Sequence, residues 1–418
     1  MTQPSVPASA EGRLVKLAPW IAIASLVLVA ASYVVNAMDR QVFPVVLPSI
    51  VKEFGFSLPS GGLLATIFTL GIGVAGIPSG ILLDRFSRKT VMLIGIVIYS
   101  MFTLLTAMSH GFGDMFAYRA LSGVGEAMQN AALFSAVGAY FFANRSLALG
   151  TLNFAYGLGG YIGPQLGAHL ASSGWRTPFY TYAGLGIFIA ILIVIFIRKS
   201  FTEQQEAPAS LSSRALAHVP DRMVNRNILL LAVAAALIGL AMYGFIGLYP
   251  TFLQTQLHFT QVQAGFAASM FGLGALLGIP AGYLGDRFNQ KWILIAALIA
   301  GCIVGYLLFN GPTNHGGQDV LAFLEGAIAS GFCFVNVYSA IQRSVRPERV
   351  GRASGVFVAA FYIPSAVAGY LFSALVGSVG WGGAGLVQLT LLPIIAIIVM
   401  LFVQPSRFTN ARVVESNA

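Results

Sequence analysis

Charge is scarce in this sequence. Asp, Glu, Lys and Arg make up 9% of the 418 residues, against about 25% in soluble domains, while hydrophobic residues reach 57%. That balance belongs to a polytopic membrane protein and leaves almost nothing for a soluble domain. Cysteine is nearly absent as well: Cys302 and Cys333 both fall in apolar runs, which excludes a disulfide framework or a thiolate metal site. A P-loop, a dinucleotide fingerprint, a zincin helix and a nucleophile elbow are all missing, so no ATP drive is visible and ion gradients remain as the energy source. Gly111-Phe-Gly-Asp114 matches the GxGD string of intramembrane aspartyl proteases, but no second Asp stands at a comparable depth. No cofactor and no metal are implied, and the chain reads as something other than an enzyme.

What the sequence has in abundance is apolar runs long enough to cross a bilayer of roughly 30 Å as helices. Twelve can be placed, near 17–48, 60–83, 90–109, 113–141, 148–173, 176–198, 227–257, 261–284, 291–309, 319–343, 352–379 and 382–403. The first follows Arg13 and Lys16 and is too long for a signal peptide, so it is expected to be a retained helix. A net charge of +9 would suggest nucleic acid in a soluble protein, but its placement says otherwise. With both termini inside, nineteen of the 23 Lys and Arg fall in cytoplasmic segments and only Lys52 and Arg176 outside, as the positive-inside rule requires. Arg40 and Arg119 remain in the membrane.

The longest polar segment divides the chain into an N-terminal bundle of six spans (1–200), a linker (201–226), a C-terminal bundle (227–403) and a tail (404–418). GIPSGILLDRFSRK at 76–89 recurs as GIPAGYLGDRFNQK at 278–291, 202 positions later, and Gly174-Trp175 recurs as Gly380-Trp381. A parallel duplication with its site between the halves is a transporter plan. The first copy resembles the signature of the major facilitator superfamily in Gly80, Leu82, Asp84, Arg85, Arg88 and Lys89, departing only where Ser87 replaces a Gly. The second keeps Asp286, Arg287 and Lys291 but has Asn289 and Gln290. The resemblance implies an all-α membrane protein of twelve transmembrane helices in two six-helix pseudo-repeat bundles. It also implies a breakable cytoplasmic latch at these residues, with Arg145 as a cationic partner of Asp84, Gly80 admitting a neighbouring backbone, and the second copy, with its degraded motif, contributing less to gating.

Charges inside the spans carry the functional reading. YVVNAMDRQVF (33–43) places Asp39 and Arg40 in an otherwise apolar span. In span 4, Arg119, Gly123, Glu126 and Asn130 are spaced 4, 3 and 4, on one helical face that Ser122 and Gln129 broaden. Intramembrane ionisable groups normally face a bundle interior or a wet cavity. At about 1.5 Å per residue, Asp39 lies roughly 15 Å and Glu126 roughly 18 Å below the outer ends of their spans, so Asp39, Arg40 and Glu126 share a level that the long Arg119 side chain reaches. The expected result is one cavity holding two acids and two bases. These positions resemble the anion:cation symporter and Spinster-like branches of the superfamily, whose cargoes differ: small organic anions in one, lysolipids or related amphiphiles in the other.

The second half is different in kind. Met242 and Tyr243 stand where Asp39 and Arg40 would repeat, and Glu325, six residues from Asp319, reads as interfacial. Tyr243 and Tyr362 are expected to line this wall, opposite Asn36, Gln129, Asn130, Asn153 and Tyr156. Span 5 carries Gly150, Gly159, Gly163, Pro164 and Gly167 in a pattern seen in exporters of the superfamily. The same spacing serves helix packing equally, so it gives no transport direction.

The expectation is a monomeric secondary transporter of the bacterial inner membrane, with a small-molecule substrate, protons and membrane lipid as its partners. Proton-coupled symport of an amphipathic organic carboxylate is the leading reading, with Glu126 and then Asp39 as proton sites and Arg40 and Arg119 on the anion. A proton-coupled exporter of amphiphiles, lysolipids or drugs would use the same residues in reverse, and a channel or sensor is the remaining reading.

Overall fold

The structure is a computed structural model describing residues 17–141, 145–204, 219–220, 222–346 and 349–409, with the backbone alone at 145–147. Every regular element among the described residues is helical. In hydrocarbon each backbone N–H and C=O must be satisfied within its own segment, which is why long apolar runs form helices. We number the spans α1 (Pro19–Phe54), α2 (Leu58–Arg85), α3 (Arg88–Ala107), α4 (Phe112–Tyr140), α5 (Arg145–Leu170), α6 (Thr177–Phe196), α7 (Arg226–Thr255), α8 (Gln261–Arg287), α9 (Gln290–Asn310) and α10 (His315–Arg343). The continuous run Val350–Leu401 breaks at Gly380, whose φ of 71° is a left-handed conformation that glycine adopts freely, and so supplies α11 (350–379) and α12 (381–401).

Polar caps start the spans where the chain leaves solvent. Ser57, Ser87 and Asn225 accept from the backbone N–H groups of Ser60, Thr90 and Ile228, and Thr260 with Gln263 forms a reciprocal capping box. Outward-facing side chains stay apolar, among them Ile94 and Val97 of α3, Ile191 and Val194 of α6 and Ile303 of α9, the surface a lipid tail accepts.

The internal repeat is visible in the packing. A Cβ on Gly71 of α2 or Gly123 of α4 would collide with the backbone of the other helix, and Gly274 of α8 and Gly326 of α10 make the same close crossing 203 positions later. Lys89 donates to the Val194 and Ile197 carbonyls at the end of α6, and Lys291 to those of Leu401 and Val403 at the end of α12. Each lysine thereby satisfies carbonyls that a helix C-terminus leaves unpaired.

The halves meet along α2–α11, α5–α8 and α1–α7. Thr66 donates to the Ala366 carbonyl at 2.8 Å and accepts from Gly369 N–H at 3.2 Å; Gln165 reaches Ser269 at 2.9 Å and Gln254 the Val45 carbonyl at 3.0 Å. All four bonds lie in the halves of their spans remote from the chain termini. These bonds tie the two halves together on the face opposite the termini.

Gly159, Gly163 and Gly167 of α5 abut Val34, Met38 and Val42 of α1, while Gly157 and Gly160 abut α8. The glycine pattern of span 5 thus serves close packing on two sides.

Candidate functional site

Two adjacent residues of a helix point about 100° apart, because one turn takes 3.6 residues. This separates Asp39 from Arg40. Arg40 Nε lies 2.5 Å from Glu126 Oε2 of α4, with side chains 3% and 1% exposed. Its guanidinium is 6.0 Å from the centre of the Tyr156 ring of α5, and Tyr33, Tyr243 and Tyr362 lie within electrostatic reach of it. Tyr33 packs on Tyr156 and Tyr243 on Tyr362, with ring centres 5.8 and 6.0 Å apart. Phenols from α1, α5, α7 and α11, drawn from both halves, therefore enclose one ion pair. The Tyr362 hydroxyl meets the same guanidinium, and Arg40 Nη2 is buried with no acceptor in hydrogen-bond geometry among the described residues. It is a charged donor left over once Glu126 is paired.

Asp39 points the other way. Its Oδ2 accepts from Thr103 of α3 at 2.7 Å, while Tyr99 and Tyr182 stand near it inside the N-terminal bundle. Arg119 donates from Nε to the Leu64 carbonyl at 3.3 Å and lies over Phe43 and Phe68 at 4.3 and 5.1 Å from their ring centres. Asp39 and Arg119 are close enough to attract one another. Of the four charges expected to share one cavity, Arg40 thus pairs with Glu126 among the tyrosines and Asp39 packs with Arg119 between α1, α2, α3 and α4, while all four stay within electrostatic reach of one another. Depth fixes the level of a residue but not its azimuth, and azimuth decides here.

The remaining polar residues sort in the same way. Gln129 accepts from Asn36 at 2.9 Å and donates to Ser32 at 3.0 Å, a fully buried ladder stitching α1 to α4. Asn130 is half-buried with its Oδ1 unpartnered, and Asn153 is exposed, with no contact to the ion pair. Tyr33, two turns before Arg40 on the same face, is the site residue that sequence reasoning missed; the seven-residue spacing would have found it.

At the termini face, Glu203 accepts from the backbone N–H groups of Arg88 and Lys89 at 3.1 and 3.2 Å, and Arg88 binds the Thr202 and Gln204 carbonyls. These contacts fasten the start of α3 to residues 202–204, beyond the end of α6. Asp84 and Arg85 are exposed, and Asp84 has no ion-pair partner among the described residues; the Arg145 side chain lies outside them. A Cβ on Gly80 would meet nothing within 4 Å, so the close backbone approach expected there is not made in this conformation. The second copy, which the sequence made the weaker one, is engaged: Arg343 of α10 bonds Asp286 at 2.5 Å, and Arg287 lies over Tyr283. Both contacts stay within the C-terminal half.

Glu325 also differs from expectation. It is 5% exposed, covered by the rest of α10 and its neighbours in the core of the C-terminal half.

Comparison with known proteins agrees with this architecture. The family model described as Major Facilitator Superfamily matches residues 29–369 and, in a second overlapping match, 231–418. The chain is 32% identical over 169 residues to a probable L-galactonate transporter of Escherichia coli (strain K12), a match spanning 40% of this chain and 37% of that protein. It is 26% identical over 365 residues to the cis,cis-muconate transport protein of Acinetobacter baylyi, covering 83% and 86% of the two chains. A crystal structure of a bacterial homologue of the human lysosomal transporter Spinster, inward-facing and unoccupied, superposes with a TM-score of 0.71 over 96% of this chain and 99% of that one, at 17% identity. Twelve helical spans, the paired glycine crossings and a family match over most of its length lead to one conclusion: this integral membrane protein belongs to the major facilitator superfamily, whose members are transporters and not enzymes.

Proposed function

We propose that the protein is a proton-coupled symporter importing a small organic carboxylate across the bacterial inner membrane, as a monomer with both termini in the cytoplasm. The observation that carries this reading is the buried Arg40–Glu126 pair, with Arg40 Nη2 unspent and phenols of both halves around it. While Glu126 is ionised it neutralises Arg40. A proton on Glu126 removes that competitor and leaves a guanidinium whose planar fork suits a carboxylate. Proton and anion therefore favour each other's binding, and by linkage the effect is mutual. When the site opens to the side where protons are scarcer, Glu126 gives up its proton, pairs again with Arg40 and displaces the anion. Asp39 is the second acid available to such a proton.

The printed functions of the relatives, an L-galactonate transporter and a cis,cis-muconate transport protein, support a small organic acid as cargo. Positive-inside charge supports the cytoplasmic placement of the termini. In this account the halves 1–200 and 227–403 rock about the Arg40–Glu126 level. The bonds of Thr66, Gln165 and Gln254 hold the periplasmic side, and Gly80, Asp84, Arg85, Arg88 and Lys89, with Asp286, Arg287 and Arg145, govern the cytoplasmic one.

The test is uptake of L-galactonate and cis,cis-muconate into proteoliposomes under an imposed pH gradient. Wild type should concentrate at least one of them. Glu126→Gln should retain exchange at equal pH yet lose gradient-driven accumulation, and a variant that still concentrates substrate as wild type does would overturn the mechanism.

A further inference from the structure

The C-terminal half contains an ionisable group that the mechanism above does not use. Glu325 is the last residue before the π-helical turn Gly326–Phe334 of α10, and among the described residues its carboxyl has neither a hydrogen-bond partner nor a counter-ion. It borders a cavity of about 30 Å³ walled by Met242 of α7, Leu298 and Gly301 of α9, Cys333 of α10, and Leu389 and Pro393 of α12. One water needs about 10–15 Å³ measured this way, so one or two fit.

The titratable groups facing the carboxyl are two thiols, Cys302 of α9 and Cys333 of α10. The linings contributed by α7 and α12 are apolar, and α8 meets this part of α10 through Phe271 and Gly274. No cation faces it. An ionised carboxylate in such a place would bear its desolvation uncompensated, and the remedy open to it is a proton. Packing does not explain the residue, since a buried charge-capable group is commonly replaced by an apolar one of similar size without loss of stability. The helix also changes form where the carboxyl sits: a π turn widens the coil and is frequent at functional positions. Asp319, at the end of α10 on the face opposite the termini, is six residues away, about 9 Å along the helix.

We propose that Glu325 is a second proton-binding site, in which the carboxyl holds a proton against the small cavity between α7, α9, α10 and α12 while the face opposite the termini is shut. The site is separate from Arg40 and Glu126 and takes a proton whether or not an anion is bound. Release requires a rearrangement of α10 that exposes the carboxyl, and the π turn is placed to allow it.

The test needs no substrate, so it is independent of the reading of Glu126. Infrared spectra of the purified full-length protein in detergent, in H₂O and D₂O, report the C=O stretch of a protonated carboxyl. Wild type and Glu126→Gln should both show an exchangeable band at neutral pH that falls reversibly as the pH is raised, and Glu325→Gln should lack it. Glu325→Met, which fills the apolar site, should lack it too and unfold at the wild-type temperature or above, so the comparison stands even if the Gln variant folds poorly. No difference between wild type and either Glu325 variant would overturn the proposal. So would a Glu325 band that persists at every pH at which the protein stays folded, since that marks a permanently neutral structural acid.

Discussion

Asp39 and Arg40 are neighbours in the chain, yet the helix sends one into the N-terminal bundle and the other to the junction of the halves. Their substitutions should therefore fail in different ways. Arg40→Lys replaces a flat fork with a point charge, and losing a charged hydrogen bond of about 1.5–3 kcal/mol should weaken anion binding tenfold or more with little change in Tm. Arg119→Ala should instead lower Tm, because it removes two ring contacts and leaves the buried Asp39 without its attracting charge. A thermal double-mutant cycle with Asp39→Asn should give a coupling of about 0.5–3 kcal/mol, the double variant being more stable than the sum of the singles implies. Additive effects would show that the two charges act apart. The residue types and depths of these groups were legible in the sequence, while their pairing was not. A spacing of 4, 3 and 4 assigns Arg119 and Glu126 to one face of α4, but whether that face looks toward α1 or the opposite half depends on how α1, α2 and α5 pack around it. Glu325 was misplaced for a related reason: counting six residues from Asp319 gives its depth but says nothing of what covers it.

Between elements, polar bonds across the seam help to define this conformation. Thr66 alone makes two of them, to Ala366 and Gly369 of α11. Thr66→Val keeps the shape and removes both. With about 1 kcal/mol net for each bond, the loss of both should raise the population opened on the face opposite the termini roughly thirtyfold. A cysteine reporter in the α1–α7 seam, labelled by an impermeant reagent, measures that shift; unchanged labelling would mean that Thr66 does not hold the closure. The span order and the repeated signature could be read directly, because apolar length and an offset of 202 need no tertiary information. The engagement of the second copy could not be read from its Asn289 and Gln290. Its Asp286–Arg343 contact depends on a partner from another span, which motif matching does not see.

At the scale of the whole molecule, the halves are alike in their glycine crossings and lysine clamps and unlike in their charges. The N-terminal half brings the ion pair and the C-terminal half the phenols of Tyr243 and Tyr362. On the proposed mechanism anion and proton bind at one place that is exposed alternately, so binding itself should be proton-linked. Calorimetry of anion binding to the purified protein, in buffers of different ionisation enthalpy, measures this linkage directly, using whichever of L-galactonate and cis,cis-muconate the proteoliposomes take up. The account predicts uptake of about one proton per anion bound at a pH where Glu126 is ionised in the free carrier, and none in Glu126→Gln. Tight anion binding to the wild type with no proton taken up would contradict it.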